Sequence, residues 1–197
     1  ETIQGEAEVT EIFEREIAGR QHFAAVRLGV QPGPNGSGMS FTSLVPEAER
    51  LPPECIEAVQ QGIMDAVSSG VIQGYPVVDI QVELRGVTYR QDDSSELAFQ
   101  IAAGQALRQA LEVAQPILLE PVMRLEVLVP EEFLGGVIGG LQSRHGIIEG
   151  VEAGGRLQVI VTLVPLAAMF GYTTDLRSSS QGRGTFTMNF SHYAPVT

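Results

Sequence analysis

The order of predicted elements in the C-terminal part restricts the fold more than any other feature of the sequence. Alternating apolar residues predict strands, and apolar residues three and four apart predict helices. The pattern therefore predicts a β-α-β-β-α-β order, with elements at 123–129, 131–143, 146–152, 157–164, 174–180 and 184–193. Gly154 and Gly155 predict the turn between the third and fourth elements. This order is typical of a ferredoxin-like sandwich, an antiparallel sheet with both helices on one face.

The first part of the chain begins with predicted strands. Residues 7–30 form two extended runs around a predicted turn at Ala18, Gly19 and Arg20, which indicates a hairpin. The loop 32–38 is rich in proline and glycine, and residues 39–45 alternate again as a third strand.

Two predicted helices follow in this part. Pro52-Pro53 and Gly70 bound the first helix, which is amphipathic. Residues 75–85 alternate as a strand, and 97–114 predict a long second helix lying on the sheet. Gly104 would weaken that helix unless it permits close packing on the sheet.

Charge and proline content predict two domains. The chain has 12 Lys+Arg, all of them arginine, against 24 acidic residues. Residues 1–117 carry a net charge of −10 and residues 118–197 one of −2, and the stiff proline-bounded segment 116–121 lies at this change. We therefore expect domains at 1–117 and 118–197. Bulk electrostatic binding of nucleic acid is not expected from so acidic a chain.

The sequence predicts a soluble, cytoplasmic protein. It has no apolar run long enough to span a membrane, and residues 1–16 are acidic, unlike a signal peptide. The single cysteine, Cys55, falls at an apolar position of the first predicted helix and is expected to be buried.

The segment 86–99, GVTYRQDDSSELAF, is the most polar gap between two predicted elements. Asp92 and Asp93 could form a catalytic pair, but no partner acid or base is suggested. Asp93 and Glu96 instead have the spacing of a helix capping box. Tyr89 and Arg90 fit an RNA contact and an ordinary surface turn equally well.

No catalytic, metal or cofactor site is expected in this chain. The three histidines, His22, His145 and His192, lack the spacing of a zinc site. The glycine-rich segment 135–146 lacks the lysine and Ser/Thr of a phosphate loop, and its glycines are interpreted as allowing a helix to pack close to a sheet. Four residues at its end could meet RNA: Gln142, Ser143, Arg144 and His145.

Longer phrases resemble a known family. In the first part these are SGVIQGYPVVDIQVEL (69–84) and DSSELAFQIAA, which begins at Asp93. PILLEPVMRLEV (116–127) links them to PEEFLGGVIGGLQSRHGIIEG (130–150) and to the phrase at 164–193. Together they resemble the fourth and fifth domains of bacterial elongation factor G. The sequence is thus identified as the C-terminal part of that factor or of a paralogue.

The resemblance implies an α+β protein of two domains. The first would have a left-handed βαβ crossover shared with a small-subunit ribosomal protein, and the second the ferredoxin-like fold. A GTP-binding domain with magnesium would lie upstream, so this chain itself would not be an enzyme. The implied partner is the ribosome, with tRNA and mRNA in the decoding region for the first domain and RNA near the large-subunit stalk base for the second. A monomer is expected.

The resemblance also implies which residues contact RNA. The family's first tip loop, S-G-G-R-G-Q-Y-G, matches IAGRQHFA (17–24), where Gly19 and Arg20 are retained while Glu14 and Glu16 stand nearby. The implied tip contacts are Gly19, Arg20, Gln21, His22, Tyr89, Arg90, Gln91 and Asp92. Arg90 occupies the family's usual histidine position.

These altered tips indicate a paralogue and leave its role open. The chain could belong to a translocation factor, or to a recycling factor. Residues 23–39 are also similar to tetracycline ribosomal-protection proteins. A stand-alone ribosome-binding module is the third alternative.

Overall fold

A computed structural model describes residues 1–46 and 51–196. The chain divides into two compact units, the first being Glu1–Leu118 and the second beginning at Leu119. Each unit combines helices with its own four-stranded sheet, so the expected α+β class is confirmed. Within the described ranges, no helix has the length and apolar character needed to cross a membrane.

The described residues of the first unit, 1–46 and 51–118, form two α-helices and six strands. In chain order these are β1 (Thr2–Ile3), β2 (Ala7–Ile17), β3 (Arg20–Pro32), β4 (Met39–Ser43), α1 (Pro53–Ser69), β5 (Ile80–Thr88), α2 (Glu96–Val113) and β6 (Pro116–Ile117). The main sheet has the order β2-β3-β5-β4, and β1 pairs separately with β6. Neighbours in the main sheet are antiparallel except β4 and β5, which are parallel and connected through α1.

The core of this unit lies between the sheet and the two helices. Alternate residues of β3 and β5, such as Leu28, Val82 and Leu84, are fully buried beneath α1 and α2. Cys55 is buried in the same core, as predicted. Because α2 packs on β2 and β3 as well as on α1, it is the central element of the unit.

Glycines permit the two helices to lie close together. A Cβ added to Gly62 of α1 would lie 2.1 Å from the carbonyl oxygen of Gln100 in α2. Gly104 of α2 faces Gly62 in the same way, at 3.2 Å from its carbonyl oxygen. Gly104 thus permits close packing, but its close neighbour is α1 and not the sheet.

Strand β5 begins later than the alternation predicts. Asp79 has a φ of 58°, which interrupts extended backbone, so residues 75–79 are not part of the strand. The Asp79 side chain accepts a hydrogen bond from the Gly38 backbone N–H at 3.0 Å. The predicted strand 75–85 is thus corrected to Ile80–Thr88. Gly86 to Thr88, which the sequence places in the polar gap 86–99, therefore belong to the strand.

The proline-bounded segment 116–121 is not a simple connector. Pro116 and Ile117 form β6, and the next strand already starts at Leu119. The prolines do not prevent these pairings, since the segment lies in a two-stranded pair and at a strand start.

The second unit has the predicted ferredoxin-like order. Its elements are β7 (Leu119–Val129), α3 (Leu134–Gln142), β8 (Ile147–Gly154), β9 (Leu157–Pro165), α4 (Tyr172–Ser179) and β10 (Thr185–Pro195). The sheet order is β10-β7-β9-β8, with every neighbouring pair antiparallel. Both helices contribute to one apolar core, through Val137 and Leu141 of α3 and Tyr172 and Leu176 of α4.

The glycines of α3 do not bring that helix close to the sheet. Gly135, Gly136, Gly139 and Gly140 are exposed, and a Cβ added to any of them would meet no atom within 4 Å. The prediction that they serve close packing is wrong, because they lie on the outer side of the helix. The buried residues of α3 are instead Val137 and Leu141.

Candidate nucleic-acid interface

The hairpin of β2 and β3 forms one end of the first unit. Its turn consists of Ala18 and Gly19, with φ of 52° and 77°. Two successive positive φ values are typical of a type I′ turn, which matches the twist of a two-stranded ribbon. Arg20 and Gln21 follow at the start of β3 and are exposed. The predicted turn is therefore confirmed, with Arg20 already inside the strand.

Strand register sorts the side chains near this turn onto two faces. Arg15 pairs with His22, and Ile17 pairs with Arg20. Because paired residues and residues two apart share a face, one face carries Arg15, Ile17, Arg20 and His22, here called the cationic face. The other carries Glu14, Glu16, Gln21 and Phe23, here called the acidic face.

The loop 89–95 follows β5 and is tied to β3. The Phe23 backbone N–H donates to the Asp93 carbonyl at 2.8 Å, and Phe23 forms an isolated bridge with Ser94. The loop is closed on itself, since the Arg90 N–H donates to Ser94 Oγ at 2.9 Å. These bonds place the two predicted tip loops side by side.

Arg90 holds the loop against the acidic face. Its guanidinium forms an ion pair with Glu14 at 2.7 Å, and its central carbon lies 3.5 Å from the centroid of the buried Phe23 ring. Such stacking of a cation on an aromatic ring contributes on the order of 1 kcal/mol. Arg90 is thus engaged within the protein, which limits its freedom to bind another anion.

Ser95 caps helix α2. Its Oγ accepts from the Ala98 backbone N–H at 3.2 Å, and Glu96 is the first helical residue. The predicted capping box of Asp93 and Glu96 is wrong, because the helix starts two residues later than that arrangement requires. Asp93 contributes its backbone carbonyl instead, in the bond with Phe23.

His22 is connected to the same cap. Its Nδ1 lies 2.7 Å from Ser95 Oγ, so the cationic face and the first turn of α2 share a hydrogen bond. Glu16 and Gln21 point to the opposite side of the ribbon. The four residues predicted at the first tip, from Gly19 to His22, therefore divide between the turn and the two faces.

The remaining residues of the second tip are exposed. Tyr89 stacks on the buried Phe99 ring, with centroids 6.4 Å apart and planes inclined by 15°, while 43% of Tyr89 remains exposed. Gln91 and Asp92 are also exposed. Tyr89 is consequently a fixed ring with an accessible surface, a geometry compatible with base stacking.

In the second unit, Arg144 is committed to internal contacts. It donates to the carbonyl oxygens of Ala168 and Phe170 and pairs with Asp175. Its guanidinium also lies 5.5 Å from the Tyr172 ring centroid. Among the neighbouring residues of the predicted contact, Gln142 and Ser143 are exposed and His145 is exposed as well.

The Tyr172 hydroxyl is buried and has no hydrogen-bond partner among the described residues. Burial raises the pKa of Tyr172 to about 12, although the Arg144 guanidinium acts in the opposite direction. The Tyr172 side chain is therefore protonated and neutral at ordinary pH.

Within residues 1–46 and 51–196, no three His, Cys, Asp or Glu side chains gather in a way that could hold a metal ion. Burial also raises the pKa of the Cys55 thiol, with Glu54 and Glu96 adding to the effect. Such a thiol is a poor nucleophile.

Arg15 is a candidate contact residue that the sequence reasoning missed. In the sequence it lies between the acidic residues Glu14 and Glu16. The period of two along a strand could have revealed it, since this period places both acids on the opposite face.

Comparison with known proteins covers both units. The family model described as Elongation factor G, domain IV matches residues 1–115, and that described as Elongation factor G C-terminus matches residues 117–197. A crystal structure of a protein from Thermus thermophilus is 37% identical, with a TM-score of 0.89, over 99% of this chain and 29% of that chain. The chain thus spans less than a third of that relative's length.

Two sheet-containing units that match consecutive domains of one factor define the class: a C-terminal part of a translation factor. The chain belongs to the elongation factor G family, and its units correspond to the fourth and fifth domains. The resemblance inferred from the sequence phrases is confirmed.

Proposed function

We propose that this chain is the ribosome-engaging C-terminal part of a translational GTPase of the elongation factor G type, acting in translocation of tRNA and mRNA. The observation that carries the proposal is the match of both units, in order, to the last two domains of that factor. Its translocation role would use the end of the first unit, where the hairpin turn and the loop 89–95 lie together.

The domain limits of the proposal are residues 1–117 and 118–197. They are supported by the compact units, which divide after Leu118, and by the family matches, which change between residues 115 and 117.

The chemistry of GTP hydrolysis would belong to the rest of the parent protein. This chain would act without a nucleotide or metal site of its own, while the parent would bind GTP and magnesium. The partners would be ribosomal RNA and tRNA in the decoding region for the first unit and the stalk base of the large subunit for the second. The parent would act as a cytoplasmic monomer.

The tip contacts of the proposal are Gly19, Arg20, Gln21, His22, Tyr89, Gln91 and Asp92. Arg90 would have a different part, since it is held by Glu14 and Phe23. In the second unit Gln142, Ser143 and His145 would be the RNA-facing residues, while the Arg144 side chain stays bonded to Phe170 and Asp175.

The held Arg90 also favours a second candidate function. In the family this position is usually histidine, and an arginine locked in the tip alters what the second loop presents. A paralogue that recycles ribosomes, or that protects them by displacing a ligand, would tolerate this change more readily than a translocation factor.

The parent protein decides between these functions. Its gene should encode a G-x-x-x-x-G-K-[ST] phosphate loop upstream of Glu1, and ribosomes should stimulate its GTPase. A truncated parent that stops before Glu1 should lose translocation and keep intrinsic hydrolysis. Subunit splitting or drug release without translocation would select the second candidate, and failure of the parent to bind ribosomes would contradict both.

A further inference from the structure

We propose that Arg15, together with Arg20, binds an RNA phosphate backbone through the cationic face of the hairpin. The inference deepens the proposed function and rests on it, because it specifies which side of the tip meets RNA. It adds Arg15 as a binding residue and assigns the acidic face to contacts within the protein.

The register places both arginines within reach of one strand of RNA. Arg15 is opposite His22, and Arg20 lies two residues from His22, so the arginines are diagonal neighbours. Diagonal Cβ atoms on a ribbon are roughly 7 Å apart, and long side chains can span that separation. Two guanidinium groups can therefore contact successive groups of one backbone.

Both cations are available to a ligand. Within residues 1–46 and 51–196, neither Arg15 nor Arg20 forms an ion pair, and both are exposed. Arg15 is also oriented, because its guanidinium carbon lies 5.6 Å from the ring centroid of Phe13, two residues earlier on the same face. Such orientation reduces the side-chain entropy lost on binding.

The acids nearest in sequence do not oppose this contact. Glu14 is neutralised by Arg90, and Glu16 lies on the acidic face. Of the other acids at this end, Asp92 and Asp93 belong to the loop 89–95, whereas Glu96 lies in the first turn of α2, which the His22–Ser95 bond ties to the cationic face. Since the whole chain carries a net charge of −12, a local cationic face would also fix the orientation in which RNA approaches.

Matched arginine variants of this chain test the proposal. Arg15→Gln and Arg20→Gln each remove one positive charge from the cationic face. Arg108→Gln removes one from an exposed position of α2, about 18 Å along the helix from its first residue. Cosedimentation with purified small ribosomal subunits is measured at low ionic strength and over a salt series, with circular dichroism to verify folding.

Arg15→Gln and Arg20→Gln should each weaken binding roughly tenfold and lower the salt-dependence slope by about one, whereas Arg108→Gln should change affinity less than about twofold. Arg15→Lys should retain most of the affinity, since a phosphate accepts either cation. Suppose the unaltered chain binds the subunits and Arg15→Gln binds them as tightly as the unaltered chain or as Arg108→Gln does. The cationic-face proposal then fails, while the proposed function stands. If the unaltered chain does not bind the subunits at all, the cationic-face proposal fails, whereas the proposed function is decided by ribosome binding of the parent protein.

Discussion

Gly62 and Gly104 face each other where α1 crosses α2, but they are not equally crowded. A methyl group on Gly62 would lie 2.1 Å from the Gln100 carbonyl oxygen, which is backbone and cannot move aside. Gly62→Ala should therefore destabilise the first unit by about 2–3 kcal/mol, because overpacking outweighs the gain in helix propensity. Urea unfolding of the variant and the parent chain measures the difference.

Gly104→Ala provides the matched comparison. Its methyl group would lie 3.2 Å from the Gly62 carbonyl oxygen, so a small shift of the helices accommodates it. The gain of about 1 kcal/mol in helix propensity should offset most of the strain. Equal destabilisation by the two substitutions would contradict the asymmetric contact.

The cap of α2 can be tested at Ser95 and Asp93. Ser95→Ala removes the acceptor of the Ala98 N–H and the partner of His22, and should cost about 1 kcal/mol or more. Asp93→Ala leaves the backbone bond to Phe23 in place and should change stability by less than about 0.5 kcal/mol. Amide hydrogen exchange in the first turn of α2 reports the effect, and a larger loss of protection in Asp93→Ala than in Ser95→Ala would show that Asp93 caps the helix after all.

Tyr172 should make the second unit sensitive to alkaline pH. Its pKa in the folded state is raised to about 12 from an ordinary value of 10.0, so the folded state retains a proton that the unfolded state releases. Stability is thus lost as pH rises from about 10 to about 12. Thermal unfolding followed by circular dichroism over this range measures the loss.

Tyr172→Phe should remove this part of the pH dependence. It also deletes a buried hydroxyl that has no partner within the described residues, which should stabilise the unit by about 1 kcal/mol at neutral pH. A destabilised variant with unchanged pH dependence would show that the hydroxyl has a partner.

Glu1 should make the first unit sensitive to acid. Burial tends to raise the pKa of its carboxyl, but backbone N–H donors of Val71, Gln73, Ile72 and Tyr75 together lower it below 4.5. A lowered pKa in the folded state means that the stabilisation is present above the ordinary value and is lost as pH falls through the lowered one.

Glu1→Gln tests this carboxyl directly. The variant should exchange the amide hydrogens of Val71 and Gln73 faster at pH 7, because both donate to the carboxylate, at 2.7 Å and 2.8 Å. The difference from the parent chain should shrink as the pH falls below the carboxyl pKa. An unchanged difference at low pH would contradict the role of the charge.

The sequence alone predicts those helices and strands whose pattern depends only on neighbouring residues. The ferredoxin-like order and the helix between Pro52 and Gly70 follow from apolar spacing and from residues that stop a helix. The late start of β5 was not predictable in this way, because the positive φ of Asp79 accompanies hydrogen bonds to the distant residues Gly33 and Gly38.

The candidate site depended more strongly on contacts between distant residues. Arg90 looked like a free cation because its partner, Glu14, is 76 positions away. Arg15 lies between two acids in the sequence, although strand alternation places both acids on the opposite face of the ribbon. In both cases contacts between residues distant in sequence, and not sequence neighbours, determine which charges remain available.

The short pairing of β1 with β6 brings the beginning and the end of the first unit to one place. From there β2 extends over 11 residues, roughly 33 Å, before the chain turns at Gly19. Residues 4–115 therefore begin and end next to the same two-stranded pair. Exchanging residues 4–115 for those of another family member would therefore require rebuilding that pair together with the Glu1 bonds to residues 71–75 and the core contacts of Ile3.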